Sequence, residues 1–153
     1  MMSGPLPEDE FKEIFSKVPR TTVEVVVVSP AGVLLVERLD GPCEGLWTIP
    51  GGTVRYGEPL LDAVARVALS ELGVPIAVGQ MLGYLEYPSH LAQGIDWPIG
   101  IAFACRLASP SGDLESSTVG PGRWFKVLPR EMHEEQRSFL LSAQLGDVAL
   151  SSS

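Results

Sequence analysis

Residues 51–74, GGTVRYGEPLLDAVARVALSELGV, decide the reading of this chain. A glycine pair opens a loop whose backbone can take angles that other residues resist, and a helix of defined length follows. Glu58 and Pro59 suit the start of that helix, where a carboxylate meets free N–H groups and proline gives up no hydrogen bond. Leu61, Val64, Ala68 and Leu72 recur at helical spacing and are predicted to form its buried face, and Gly73 followed by Pro75 stops it. Positions 67, 70 and 71 then fall at i, i+3 and i+4, on one face beside the glycine loop. Val67 is apolar there, Ser70 carries a neutral hydroxyl, and Glu71 is the single carboxylate.

Working outward, residues 21–28 are β-branched and almost wholly apolar, which predicts a buried strand. Ser29-Pro30-Ala31-Gly32 turns the chain into a second strand over 33–37. Upstream, residues 7–18 place Phe11, Ile14, Phe15 and Val18 at i, i+3, i+4 and i+7 with acidic residues in the first turn, an amphipathic helix expected to cap the sheet. Downstream, 80–87 and 99–107 read as strands around the loop SHLAQGIDWP, and 123–127 as a shorter strand. A C-terminal helix lies within 129–145, with Met132, Gln136, Phe139 and Leu140 on one side, and the final SSS is expected to fray. The pattern is α/β in a single domain over 7–146, with flexible termini at 1–6 and 147–153.

A chain of 153 residues with 45% hydrophobic content can bury one sizeable core. Its net charge of −8 argues against a general nucleic-acid or membrane-surface binder, since those neutralise phosphate with basic patches. Anionic substrates are then expected to arrive with a metal ion. Cys43 and Cys105 have no CxxC spacing, so they are read as reduced thiols that imply no metal cluster. No basic-then-apolar leader and no apolar run of about 18 residues is present, which points to a soluble cytoplasmic protein.

The 51–74 stretch resembles the Nudix hydrolase box, G-x5-E-x7-R-E-U-x-E-E-x-G-U with U a bulky apolar residue. Gly52, Glu58, Arg66, Glu71, Gly73 and Val74 fall in register, while Val67 and Ser70 stand where the pattern has glutamate. The resemblance implies an α/β/α sandwich with a mixed sheet. The variant R-V-A-L-S-E-L-G is most similar to the GDP-mannose mannosyl hydrolase branch, as are the N-terminal E-D-E-F, the E-R-L-D around Arg38, G-L-W-T-I-P-G-G and the late Arg123-Trp124. Members of that branch cleave between a sugar carbon and a diphosphate with one divalent metal. The carry-over implies Gly51, through its carbonyl, and Glu71 as ligands of a single Mg2+ or Mn2+, with Arg38 on the diphosphate. Where that branch has a Gln-His pair before the R-W, as metal ligand and general base, this chain has Thr118 and Val119, and neither is a base at neutral pH.

The general base is therefore unassigned, with Glu115, His90 and Asp96 as candidates. Arg38 has bidentate chemistry for diphosphate oxygens, Arg55 stands two residues from the position of a second expected arginine, now Thr53, and Trp97 is a candidate for stacking on a nucleobase. Tyr87 has the same stacking chemistry, Trp47 is expected in the core, and His133, on a charged helix, is expected in solvent. Gly52, Glu58, Arg66 and Gly73 are read as structural, with Glu58 and Arg66 bracing loop against helix as an ion pair.

The leading expectation is a metal-dependent hydrolase of a nucleoside diphosphate linked to another moiety, such as a sugar. Attack at phosphorus, as in nucleotide diphosphatases, is the enzymatic alternative; a non-catalytic nucleotide- or protein-binding module of the same fold is the other. The expected partner is a small nucleotide substrate, not nucleic acid or membrane. Dimers are common in the resembling family, although no feature of the sequence demands one.

Overall fold

The computed structural model describes residues 4–108 and 118–153. Its first helix, α1 (Glu8–Phe15), precedes the hairpin β1 (Arg20–Ser29) and β2 (Gly32–Glu37). Two short strands, β3 (Trp47–Thr48) and β4 (Gly51–Thr53), lead into α2 (Leu60–Leu72). Then come β5 (Ile76–Glu86), a short α3 (Pro88–Ala92), β6 (Pro98–Leu107), β7 (Thr118–Val119), β8 (Gly122–Phe125), β9 (Val127–Leu128), α4 (Glu134–Ser142) and β10 (Ser151–Ser152).

The main sheet runs β5-β6-β1-β2-β8-β7, with β3 paired to β2 and β4 to β1. It is mixed: β1 and β6 are parallel, from Arg20 opposite Pro98 to Val27 opposite Cys105, while the other pairs are antiparallel. β1 is apolar almost throughout because both of its faces are covered. Val23, Val25 and Val27 join Val64, Val67, Ala68 and Leu72 of α2 in one core. Val26 and Val28 join Leu35, Leu128 and Leu140 of α4 in the other. The chain is thus a single α/β/α sandwich, as expected. Among the described residues, no helix is long and apolar enough to cross a membrane.

Several local expectations are corrected. Leu61 is 56% exposed, and Ala63 and Val67 take the buried places on α2, because the helix packs on β1 and β4 rather than on the face that 61 and 64 alone would define. β5 begins at Ile76, before the expected start, and the loop after it folds locally into α3. No residue of α1 is buried, and Val18 is 47% exposed, so this helix lines surface hollows instead of capping the sheet. The C-terminal serines do not fray: Ser151 and Ser152 pair in parallel with Val127 and Leu128.

Candidate functional site

Within the apolar run of β1 stands Glu24, 4% exposed. It shares the strand face of Val26 and Val28, opposite to α2, by the two-residue period of a strand. Its Oε1 accepts hydrogen bonds from the Thr22 hydroxyl at 2.8 Å and the Tyr87 hydroxyl at 2.9 Å. Tyr87 in turn accepts from Gln136 Nε2 at 3.1 Å, and Gln136 Oε1 accepts the Ile49 N–H at 2.8 Å. Burial drives the Glu24 carboxyl up to about 7, against the opposing pull of those two hydroxyls and of the Arg20 and Arg38 charges. Burial likewise raises Tyr87 well above the phenol range, with the Glu24 charge adding to it. At neutral pH Glu24 is therefore poised between its two forms, the condition in which a carboxylate exchanges protons best.

Glycines make room for this carboxylate. A Cβ on Gly51 would lie 2.3 Å from Glu24 Oε2, and one on Gly100 would lie 2.6 Å from Oε1. The result is a cleft of about 230 Å³ walled by Glu24, Arg20, Arg38, Gly51, His90 and His133. It adjoins an outer hollow of about 750 Å³ that shares Arg20, Arg38, Cys43 and His90 and adds the rings of Phe11 and Phe15.

Gly51 and Gly52 of the box also line this cleft, and the rest of the box braces them. Arg66 donates from Nε to Glu58 Oε2 at 2.7 Å and from Nη2 to Glu58 Oε1 and the Thr53 carbonyl, both at 2.9 Å. Glu58 Oε1 also accepts the Arg55 N–H at 3.0 Å, closing the loop onto the helix. Hydrogen bonds from Arg66 outweigh burial and hold the Glu58 carboxyl below its ordinary range. Val67 is buried, and a Cβ on Gly52 would meet its methyl at 3.0 Å, so the apolar replacement fills the space under the glycine pair. Ser70 is exposed. Glu71 Oε1 lies 2.6 Å from Arg38 Nη2, and Arg38 Nε donates to the Thr48 hydroxyl at 2.8 Å.

Other residues singled out in the sequence divide between the cleft and elsewhere. Asp96 accepts Arg20 Nε at 2.9 Å on Oδ2 and pairs with His90 Nδ1 at 3.0 Å through Oδ1. It is an orienting group with both oxygens engaged rather than a free base. Arg55 lies in a separate hollow with Phe11, Phe15 and Tyr56. Trp97 is absent from the cleft lining, and its carbonyl accepts the Arg20 N–H at 3.0 Å. Glu115 lies outside the described residues. Tyr87, 3% exposed, is a core hydroxyl donor and not a stacking surface. Trp47 packs edge-on against Phe125 at the margin of the second core.

His133 is 5% exposed, contrary to its expected place in solvent, because it precedes α4 where the chain turns in against Tyr87 and His90. Its Nε2 is 3.0 Å from His90 Nε2, and burial, reinforced by the neighbouring His90, pushes its pKa down against the pull of Glu135. Cys43, read from spacing as unconnected with any metal cluster, closes the same group: single ligand atoms of Cys43, His90 and His133 lie within 4.8 Å of one another. Sequence reasoning also passed over Glu24 and Arg20. Glu24 had one signal, a lone carboxylate inside a strand otherwise built for burial on both faces.

Comparison with known proteins fits this geometry. The NUDIX domain family model matches residues 18–140. The chain is 38% identical over 115 residues to the low-salt glycan biosynthesis protein Agl8 of Haloferax volcanii, covering 74% of each chain. It is 30% identical over 76 residues to an ADP-ribose pyrophosphatase of Methanocaldococcus jannaschii, covering 50% of this chain and 45% of that one. A MutT Nudix hydrolase from Burkholderia pseudomallei superposes with a TM-score of 0.62 at 25% identity, over 81% of this chain and 97% of the other. Nudix hydrolases act on nucleoside diphosphate derivatives and generally use divalent metal ions. With its box helix, glycine loop and mixed sheet in place, and with the family match spanning most of its length, this chain belongs to the Nudix family.

Proposed function

We propose that this protein hydrolyses a nucleoside diphosphate linked to a sugar, using one divalent ion and Glu24 as general base. The observation that carries this reading is the Glu24 carboxylate, raised to about 7, at the bottom of a cleft that also holds two arginines and the box glycines. The donor set suits a hard ion: Glu71 on the box helix and the carbonyl of Gly51 are both oxygens, and Glu24 Oε2 beside Gly51 stays free to take the proton. With Val67 buried and Ser70 neutral, that set supports one ion and not a cluster. When bound, the ion neutralises charge on the diphosphate.

The remaining work falls to side chains. Arg38, anchored by Thr48 and Glu71, presents its remaining N–H groups to diphosphate oxygens, and Arg20, held by Asp96 and Thr53, adds positive field beside it. The outer hollow takes the nucleoside against Phe11 and Phe15. Glu24 accepts a proton from water. The water oxygen bonds to the sugar carbon, the carbon–oxygen bond to the diphosphate breaks, and its electron pair leaves with the nucleoside diphosphate.

The glycan biosynthesis name of the Haloferax relative favours the sugar substrate. The pyrophosphatase name of the Methanocaldococcus relative favours a second reading, attack at phosphorus, which gives sugar phosphate and nucleoside monophosphate. The losses at positions 67, 70, 118 and 119 motivate a third, a binding module without turnover. Incubation with nucleoside diphosphate sugars, dinucleotides and triphosphates plus Mg2+ or Mn2+, beside Glu71→Gln, separates the three. Free sugar with nucleoside diphosphate supports the proposal, sugar phosphate the second reading, and nucleotide binding without products, insensitive to chelator, the third.

A further inference from the structure

We propose that Cys43, His90 and His133 form a second metal site, of different chemistry from the box, that takes Zn2+ or a similar borderline-soft ion. The site does not rest on the hydrolase reading. Its three ligand atoms converge within 4.8 Å from the β2–β3 loop, α3 and the residue before α4. A four-coordinate zinc places nitrogens at about 2.0–2.1 Å and sulfur at about 2.3 Å. Two such nitrogens stand roughly 3.3 Å apart, close to the 3.0 Å separating the Nε2 atoms of His90 and His133.

Two independent observations support ligation over a plain histidine contact. First, Asp96 Oδ1 engages His90 Nδ1 and is itself fixed by Arg20 at 2.8 Å. A carboxylate on Nδ1 fixes the proton there and leaves the Nε2 lone pair aimed inward, the outer support that metal-binding histidines almost always have. Second, His133 is 5% exposed and its buried Nδ1 has no hydrogen-bond partner. Without an ion, the contact needs His133 Nε2 to carry the proton and strands Nδ1 as a bare buried acceptor. Glu135, two residues further on, likewise leaves its buried Oε2 without a partner.

Thiolate plus imidazole selects borderline and soft ions, whereas the oxygens of Gly51 and Glu71 select magnesium or manganese. Three protein ligands leave a fourth position open, the arrangement of zinc sites that hold an exchangeable water. All three ligands line the cleft with Glu24, so that position lies in the same cavity as the proposed reaction. The half-buried Cys43 thiol must lose its proton on binding, so metal uptake releases a proton.

The test is Co2+ titration of chelator-stripped full-length protein, followed by absorption, with Zn2+ competition. The expected result is one equivalent of Co2+ giving the visible bands of tetrahedral cobalt and a near-ultraviolet thiolate-to-cobalt band, both displaced by one equivalent of Zn2+. Cys43→Ser should abolish the thiolate band, and Asp96→Asn should weaken affinity about 10–100-fold. Glu71→Gln should change neither. His90→Gln, in a part-buried position, serves beside Cys43→Ser, with near-ultraviolet circular dichroism reporting whether each is folded. No saturable tetrahedral spectrum, a thiolate band that survives Cys43→Ser in folded protein, or a cobalt signal lost only in Glu71→Gln would each overturn the proposal.

Discussion

Beside the cleft, which Gly51 and Gly52 line, the box offers Val67, Ser70 and Glu71 within a single stretch of helix. On the facing wall Glu24, Tyr87, His90, His133 and Gln136 converge from segments scattered between positions 24 and 136, with Asp96 behind His90. The box carries a known pattern and has lost much of its chemistry: a buried valine, an exposed serine and one carboxylate held by Arg38. The facing wall carries no local pattern and is dense in groups whose pKa values burial has moved. Perturbed titratable groups in a cleft mark functional sites more often than chance, though structural networks produce them too. The comparison teaches that a degraded motif need not mean an empty cleft, because the facing wall holds a buried carboxyl of raised pKa.

The largest effect that would break this comparison is loss of Glu24. Glu24→Gln keeps the shape and the Thr22 and Tyr87 contacts but cannot take a proton, and turnover should fall by about 10²–10⁴. In the wild type the rate should rise as pH passes about 7, when the carboxyl ionises, and the variant should lose that inflection. Stability provides a second sign. Because folding raises the Glu24 pKa from 4.5 to about 7, the folded state holds the extra proton in that window, and this group's contribution to stability falls as pH rises through it. Glu24→Gln should therefore melt no lower than wild type at pH 8, while it loses activity. Unchanged turnover would return the base to an unassigned residue.

Next in size, Glu71→Gln should weaken metal-dependent turnover and raise the metal concentration it requires without altering the fold, which a metal titration of activity checks. If activity persists with an unchanged metal requirement, the box carboxylate is dispensable and the comparison sharpens toward the other side. Smaller is the structural corner. Arg66→Ala leaves Glu58 with one donor where it had three, and should cost roughly 1–3 kcal/mol in denaturant unfolding at neutral pH. Glu58 is held below its ordinary pKa of 4.5, so its contribution is present above that value and is lost as pH falls through the lower folded one. The gap between Arg66→Ala and wild type should accordingly shrink in acid. Smallest is Ser70→Glu, which restores a carboxylate at an exposed position: stability should move by less than about 0.5 kcal/mol, while Mg2+ affinity, read by calorimetry, increases.

Much of the fold could be read from the chain because its signals are local. The valine run of β1 announces a strand covered on both faces, the turn at 29–32 announces the hairpin, and Gly73 in the left-handed conformation, with φ 73°, ends α2 where expected. Glu58 and Arg66 were predicted as a brace from spacing and form one, since eight residues of loop and helix determine their separation. Arg38 and Glu71 were each singled out, but not their ion pair, which depends on how α2 lies against the β2 strand end.

What the sequence determined by itself is the order of the long strands and of the box and C-terminal helices, the box and the thinness of its ligand set, because each follows from neighbours along the chain. Only the tertiary structure decided that His133 is buried, that Asp96 orients His90, that Cys43 joins two histidines, and that Glu24 becomes a carboxyl poised near neutrality. Each of those properties comes from desolvation and contact among residues about 6 to 90 positions apart, and a charge's environment is set by what packs around it in space.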